Sequence, residues 1–335
     1  MNNDAVSQPK SSGAPTYGGR RAKLCAIGAS IVALGLLPVF VDSPYTLHIF
    51  ILTFIYVIVA VSLRTITTSG QFPLAQGAFM GVGAYAAGMA SRWLGWSCWL
   101  TIPSGALFTA ALGILIGYPF SRLRTLYYAM GSLFFGLGVV QIIYALGDWT
   151  GGYSGFTGVH PIFTGSKVPY YYFSLGLAVV CAAALYRFEF SRIGQSLKAI
   201  HQSHEVASSV GINEAWYRVM VVGVGCFFAG LAGACYAHYN LVISAASFNL
   251  GATLGLFMGV LVGGIGSFAG PIIGTFVLTL FPEFLRDLKT YSPLVSAAIL
   301  LLAVYVFPQG LVGLPGIIKS WFAGRGKGDK VVQAS

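Results

Sequence analysis

His201, His204 and Glu205 stand within five residues, and a histidine pair at i, i+3 on a helix could begin a divalent-cation site. A protein zinc site needs three or four ligands, and no further His, Cys or carboxylate follows at ligand spacing, so no metal is expected. His238 sits inside an apolar run. An ionisable group at membrane depth suggests a proton relay, but a hydrogen-bonded structural histidine is the simpler account. Glu283 and Arg286 have the i, i+3 spacing of an ion pair on a helix surface. A clamp for an amino-acid zwitterion is the sharper alternative. The five cysteines, Cys25, Cys98, Cys181, Cys226 and Cys235, lie in or beside apolar runs with no Cys-x-x-Cys pair, and read as small buried apolar residues. No Ser/His/Asp group or carboxylate pair stands out, so no catalytic residue and no cofactor is expected.

A second set of polar side chains lies in two Gly-rich stretches, Ser69–Tyr85 and Gly251–Gly274. A run such as Gly263-Gly-Ile-Gly-Ser-Phe-Ala-Gly-Pro271 cannot be a stiff helix interior. Irregular backbone at membrane depth is tolerated where protein or a water-filled cavity satisfies it. Ser69, Gln71, Gln76, Gly77, Gly264, Gly266 and Ser267 are therefore candidates to line a solute path. The glycines alone have a second reading, close packing of helices. Phe79-Met-Gly-Val82 recurs as Phe257-Met-Gly-Val260, the kind of echo that two pseudo-symmetric transporter halves leave.

The elements that must position these groups follow from composition. The chain has 335 residues, 56% hydrophobic and 8% charged, with 44 glycines. A soluble fold carries about 25% charged residues, so the expected class is all-α, a polytopic transmembrane helical bundle. The 64 residues Val219–Pro282 contain no Asp, Glu, Lys or Arg, room for about three spans of ~20 residues. Ten spans are expected: Leu24–Val41, Thr46–Leu63, Ala75–Ala90, Trp99–Pro119, Leu126–Leu146, Tyr170–Tyr186, Tyr217–Asn240, Leu250–Phe268, Pro271–Leu285 and Leu294–Phe307. The third and ninth are short and flanked by Gly and Pro, as broken or re-entrant helices are. With the N-terminus inside, 15 of the 19 Lys and Arg residues fall on the inner side and 4 on the outer. That asymmetry obeys the positive-inside rule and places both termini in the cytoplasm. The net charge of +10 is thereby accounted for between spans, not on one face, and nucleic acid is not an expected partner. The segments are a cytoplasmic disordered tail at 1–23, a transmembrane domain at 24–318 with the cytoplasmic loop 187–216 inside it, and a basic cytoplasmic tail at 319–335.

One inner connection, Arg187–Trp216, is far longer than the others. Ile193, Leu197, Ile200, Ala207 and Val210 form one apolar face of a helix that Gly211 would end, with Gln195, Lys198, Gln202, Glu205 and Ser208 opposite. Such a helix can lie on membrane lipid or dock into a partner protein. Arg192 and Lys198 are too few cations for strong lipid attraction, which favours the protein.

Here the sequence resembles a known family. Arg192-Ile-Gly-Gln-Ser-Leu-Lys-Ala-Ile200, Glu205-Val-Ala207 and Val210-Gly-Ile-Asn213 resemble the cytoplasmic loop of branched-chain amino acid ATP-binding-cassette importer permeases. Ala229–Ala234, Tyr236–Tyr239, Gly263–Ser267, Gly270-Pro271, Leu280–Arg286, Ser69-Gly-Gln71, Ala75–Phe79 and Thr150–Pro161 are similar to its other motifs and keep their order, over roughly Ser69–Arg286. The resemblance implies an inner-membrane permease subunit without enzymatic activity. Two ATPase subunits, a second homologous permease and an extracytoplasmic solute-binding protein are its implied partners. It also implies that the loop, through Arg192, Gly194, Leu197, Lys198, Ala199, Ile200, Glu205, Ala207, Gly211 and Ile212, couples to the ATPases. The chain has no Gly-x-x-x-x-Gly-Lys-Ser/Thr loop of its own. It departs from the family at Phe72–Ala75, and at His201-Gln-Ser-His204, where an Arg-Glu-Asn-Glu stretch is usual. The implied solute is a branched-chain amino acid or a related small polar molecule such as urea or an amide. A gradient-driven transporter or channel is the alternative, and would require ion-coordinating carboxylates within the spans.

Overall fold

The computed structural model describes residues 28–30, 32–38, 43–123 and 125–284. The tails at 1–23 and 319–335, the span Leu294–Phe307, Cys25 and Arg286 lie outside the described residues, as do parts of Leu24–Val41.

Among the described residues every regular element is a helix, beside one isolated antiparallel bridge between Phe156 and Ile243. Helix α1, Gly28–Pro38, belongs to a first unit, separate from the one that begins at Tyr45. The second unit holds α2 (Pro44–Thr67), α3 (Gln76–Trp93), α4 (Cys98–Phe120), α5 (Thr125–Ala145), the short α6 (Gly147–Thr150), α7 (Val168–Glu189), α8 (Arg192–Gln202), α9 (His204–Ser209), α10 (Glu214–Asn240), α11 (Leu250–Gly263) and α12 (Ala269–Phe284). Among the described residues six segments are long and apolar enough to cross a membrane: α2, α4, α5, α7, α10, and Ala245–Gly263, which joins a 3-10 turn to α11. The two spans expected to be short are short helices, α3 with 18 residues and α12 with 16.

Helix α10 runs through the middle, packed against α3 and α4. A Cβ on Gly233 would run into the Met80 carbonyl oxygen, and one on Gly83 into the backbone of Gly230. The two helices therefore meet backbone to backbone, an approach that small residues permit and that drives packing where lipid is as apolar as leucine. The outer helices α4, α5 and α7 keep Leu115, Tyr118, Leu126, Phe134 and Val180 exposed, the surface a bilayer would cover. The two Phe-Met-Gly-Val copies both lie in helices, with Gly81 against Phe248 and Gly259 against Thr275. For these glycines close packing is what the structure displays.

Polar residues set the helix ends. Ser191, Ser203, Asn213 and Asn249 cap α8, α9, α10 and α11, their side chains accepting from the backbone N–H of Gly194, Val206, Trp216 and Ala252. Leu241, with φ of 62°, turns the chain out of α10.

Candidate functional site

The polar segment folds as two helices rather than the expected one. Ser203 adopts extended backbone (φ −158°, ψ 117°), gives its N–H to the Ala199 carbonyl and accepts the Val206 N–H on its hydroxyl. One residue thus closes α8 and opens α9, because a serine hydroxyl offers the backbone a cap in place of the next helical turn. The apolar stripe is accordingly split. Leu197 and Ile200 are 0% exposed and anchor α8, Ile193 is half-buried, and Ala207 is buried beneath α9. Val210, expected on the same apolar helix face, lies beyond the end of α9 and is 71% exposed.

The remaining loop residues divide by role. Arg192 is exposed at the start of α8, and Gly194 is buried where a Cβ would strike the Glu189 carbonyl. Ala199 is half-buried, and Glu205 is exposed in the first turn of α9. Gly211 takes φ of 81°, and the Ile212 N–H returns to the Ala207 carbonyl at 3.1 Å. This is the left-handed glycine stop, with the six-to-one bond that satisfies an orphan helix carbonyl.

Two ionic clusters fasten this pair of helices to the bundle. In the first, Arg64 at the end of α2 forks the Glu189 carboxylate with Nη1 and Nη2, and Lys198 Nζ lies 3.1 Å from Glu189 Oε1. Arg64 Nε donates to the Ile265 carbonyl at 3.0 Å, in the turn between α11 and α12. Phe190 lies under Lys198 Nζ at 4.7 Å and Phe268 under the Arg64 guanidinium at 5.6 Å, distances at which cation–π attraction operates. In the second, Glu214 Oε1 at the start of α10 meets Arg218 Nη2 at 2.5 Å and His204 Nδ1 at 2.9 Å. Arg218 Nη1 also donates to the Ser121 carbonyl at 3.2 Å, reaching the α4–α5 turn.

Both histidines of the atypical His201–His204 stretch touch the bundle while remaining exposed. His204 meets Glu214, and His201 lies against Gly70, where a Cβ would sit 2.6 Å from its Nδ1. Gly70, with φ of 82°, turns the chain out of α2. Sequence reasoning missed Glu189, Arg64, Glu214 and Arg218 as a group. Their one visible signal was acidic residues at both borders of a long basic loop.

The candidate path residues gather around the same end and the helices above it. Ser69, Gln71 and Gln76 are buried, at 1% exposure or less. Ser69 Oγ donates to Gln71 Oε1 at 3.4 Å. Gln76 Nε2 donates to Ser62 Oγ at 2.8 Å and to the Gly225 carbonyl at 3.1 Å, stitching α3 to α2 and α10. Gln71 Nε2 and Gln76 Oε1 find no hydrogen-bond partner among the described residues. Gly77 packs on Thr253 of α11, which brings the two Gly-rich stretches together. Gly264 (φ 102°) ends α11, Gly266 is exposed, and the Ser267 N–H closes the turn on the Gly264 carbonyl at 3.4 Å.

At the opposite end, His238 is 0% exposed. Its Nδ1 donates to the His160 carbonyl at 2.8 Å and its Nε2 pairs with the Thr101 hydroxyl at 2.6 Å, the hydrogen-bonded structural role expected of it. Arg92 donates to the Thr157 carbonyl at 2.9 Å, fixing the 151–167 loop to α3. Glu283 accepts from the Tyr45 hydroxyl at 2.6 Å, while its expected partner Arg286 lies outside the described residues. Cys181, Cys226 and Cys235 are buried free thiols and Cys98 is half-buried.

The high-affinity branched-chain amino acid transport system permease protein LivM of Escherichia coli is 25% identical over 327 residues, 89% of this chain and 77% of that protein. The LivH permease protein of the same organism is 32% identical over 135 residues, 39% of this chain and 42% of LivH. The BraD permease protein of Pseudomonas aeruginosa is 25% identical over 132 residues, 38% of this chain and 42% of BraD. No solved structure matches the chain significantly. The family profile described as branched-chain amino acid transport system / permease component matches residues 45–304, so the chain is a multi-pass membrane protein belonging to that permease family.

Proposed function

We propose that the chain is a membrane-spanning subunit of an ATP-driven importer, carrying a branched-chain amino acid or a related small polar solute inward. Its partners in this reading are two ATPase subunits, a second homologous permease and an extracytoplasmic solute-binding protein. The bundle has ten spans, both termini are cytoplasmic, and the α8–α9 end faces the bacterial cytoplasm. The observation that carries the reading is the α8–α9 pair: Leu197 and Ile200 hold it to the bundle, while Val206 and Val210, 64% and 71% exposed, look away beside Glu205. An apolar patch on an anchored surface helix is what a docking protein needs. Movement of the ATPases displaces α8 and α9, and the contacts they make with the bundle differ between states; a partner that bound both states equally would shift nothing.

The solute passes beside Gln71 and Gln76, whose unpartnered amide atoms supply polar groups within the buried interior. A gradient-driven mechanism is disfavoured by the acidic residues: Asp148, Glu189, Glu205, Glu214 and Glu283, those among the described residues, lie in short surface helices or within two residues of a helix end. Deleting 193–210 tests the proposal. Membrane insertion should persist and ATP-driven uptake of leucine into proteoliposomes containing the full set of subunits should vanish; uptake at the normal rate by the deleted chain sinks it. Titrating the cognate binding protein with leucine, isoleucine, valine, urea and amides then fixes the solute.

A further inference from the structure

The buried carboxylate of Glu189 lies where three elements meet: the end of α7 that carries it, Arg64 on α2, and Lys198 on α8. The side chains of Glu189 and Arg64 are 3% and 4% exposed, whereas that of Lys198 is 35% exposed. This inequality has a physical consequence. A carboxylate stripped of water cannot be left without a cation, so Arg64 stays with Glu189 in any conformation that keeps them buried. Lys198 can exchange the carboxylate for water at small cost, because its ammonium already reaches solvent and its stem rests on Phe190. Arg64 in turn holds the Ile265 carbonyl and covers Phe268, in the glycine-bounded turn that ends α11.

We infer that Glu189 is a positioning residue through which displacement of α8 reaches α2 and the α11–α12 turn, with Lys198 as its releasable contact and Arg64 as its permanent one. With Lys198 docked, α8, α7 and α2 share one charge centre. When α8 moves away, Lys198 passes to solvent, Glu189 keeps only the Arg64 fork, and the pull on the Ile265 carbonyl changes with it. His201 against Gly70 places a second contact of α8 at the end of the same helix, α2. The inference rests on the reading of α8 as the surface that meets the ATPases.

The test uses the whole transporter, with ATPases, second permease and binding protein, in proteoliposomes, and reads leucine imported per ATP hydrolysed. Lys198→Met keeps the apolar stem over Phe190 and removes the charge. Loss of a half-exposed ion pair should lower that ratio about two- to fivefold while the ATPases still co-purify and hydrolyse ATP. Glu189→Gln, which removes the carboxylate charge from both ion pairs, should lower it further, and adding Lys198→Met to it should cost little more. A structural role alone would reduce the amount of assembled complex and leave import per ATP at the wild-type value; that result for Lys198→Met overturns the inference, whether or not Glu189→Gln assembles. A wild-type complex that hydrolyses ATP without importing leucine or any other solute held by its binding protein would fail earlier, and would take down the proposed function as well.

Discussion

Replacing Val206 and Val210 together by alanine asks whether the outward side of α9 is a docking surface. Each substitution removes the equivalent of two methylene groups, worth ~0.8 kcal/mol apiece when fully buried by a partner. Val206 is 64% exposed and Val210 71%, so roughly two-thirds of that remains for a partner to cover. This gives about 1 kcal/mol per residue and about 2 kcal/mol for the pair, a weakening near thirtyfold in Kd. The fold should not suffer. At Val206 alanine is the better helix former, and the cap of α9 uses the Val206 backbone N–H, which the substitution keeps; Val210 lies past the last turn with its side chain 71% exposed, so its truncation removes little packing. The assay is titration of labelled ATPase subunits against the permease pair in lipid nanodiscs, beside a thermal unfolding curve of each variant. Leu197→Ala is the control with the opposite signature. At 0% exposure it should cost about 2–5 kcal/mol of local stability and act on binding only by loosening α8. The reasoning is refuted if the double variant binds the ATPases within twofold of wild type at unchanged stability.

Ser203→Ala should destabilise the start of α9 by about 1 kcal/mol and Ser203→Asp should restore it, seen as amide exchange at Val206 and Ala207. Gly233→Val forces a side chain against the Met80 carbonyl and should abolish monodisperse, folded protein on size exclusion. Gly255→Ala, where nothing lies within 4 Å of the new Cβ, should be silent in the same measurement. Glu214→Gln leaves the Arg218 guanidinium, 5% exposed, facing a neutral amide. It should lower the thermal midpoint by an amount equivalent to about 1–3 kcal/mol, with a smaller loss for His204→Ala.

The membrane helices were legible because their signal is local. Apolar length and the distribution of Lys and Arg located α2, α4, α5, α7 and α10 to within about three residues at most ends, and even the short α3 and α12 were visible from their Gly and Pro flanks. The expected span Leu250–Phe268 overruns α11 by five residues, since apolar content continues past Gly264 while the helical backbone does not. The break at Ser203 was missed for a related reason. Periodicity of apolar residues reads through a polar position, whereas a hydroxyl that can cap a helix there ends it. The path candidates were legible as polar residues in an apolar setting, but Gln76 turned out to spend its amide N–H groups tying three helices together.

What no local pattern could disclose is the pairing of charges across the chain. Arg64 and Glu189 are separated by 125 positions, and each taken alone is an ordinary charge at the end of a span. The same non-local logic accounts for the His201-Gln-Ser-His204 stretch. Read along the sequence, it is a docking segment that has lost its fixed charge. Read in space, its two histidines lie against Gly70 and Glu214 on the bundle side. The loop is held by Lys198 on Glu189 and by His204 on the Glu214–Arg218 pair of α10, while the apolar side chains of Val206 and Val210 remain exposed for the partner. Docking by apolar contact predicts weak dependence on ionic strength. Raising salt from about 0.1 to 0.5 M should change ATPase affinity by less than about threefold, whereas docking through exposed ion pairs would weaken steeply over the same range. A steep loss would return Glu205 and Arg192 to the interface and displace the two valines from it.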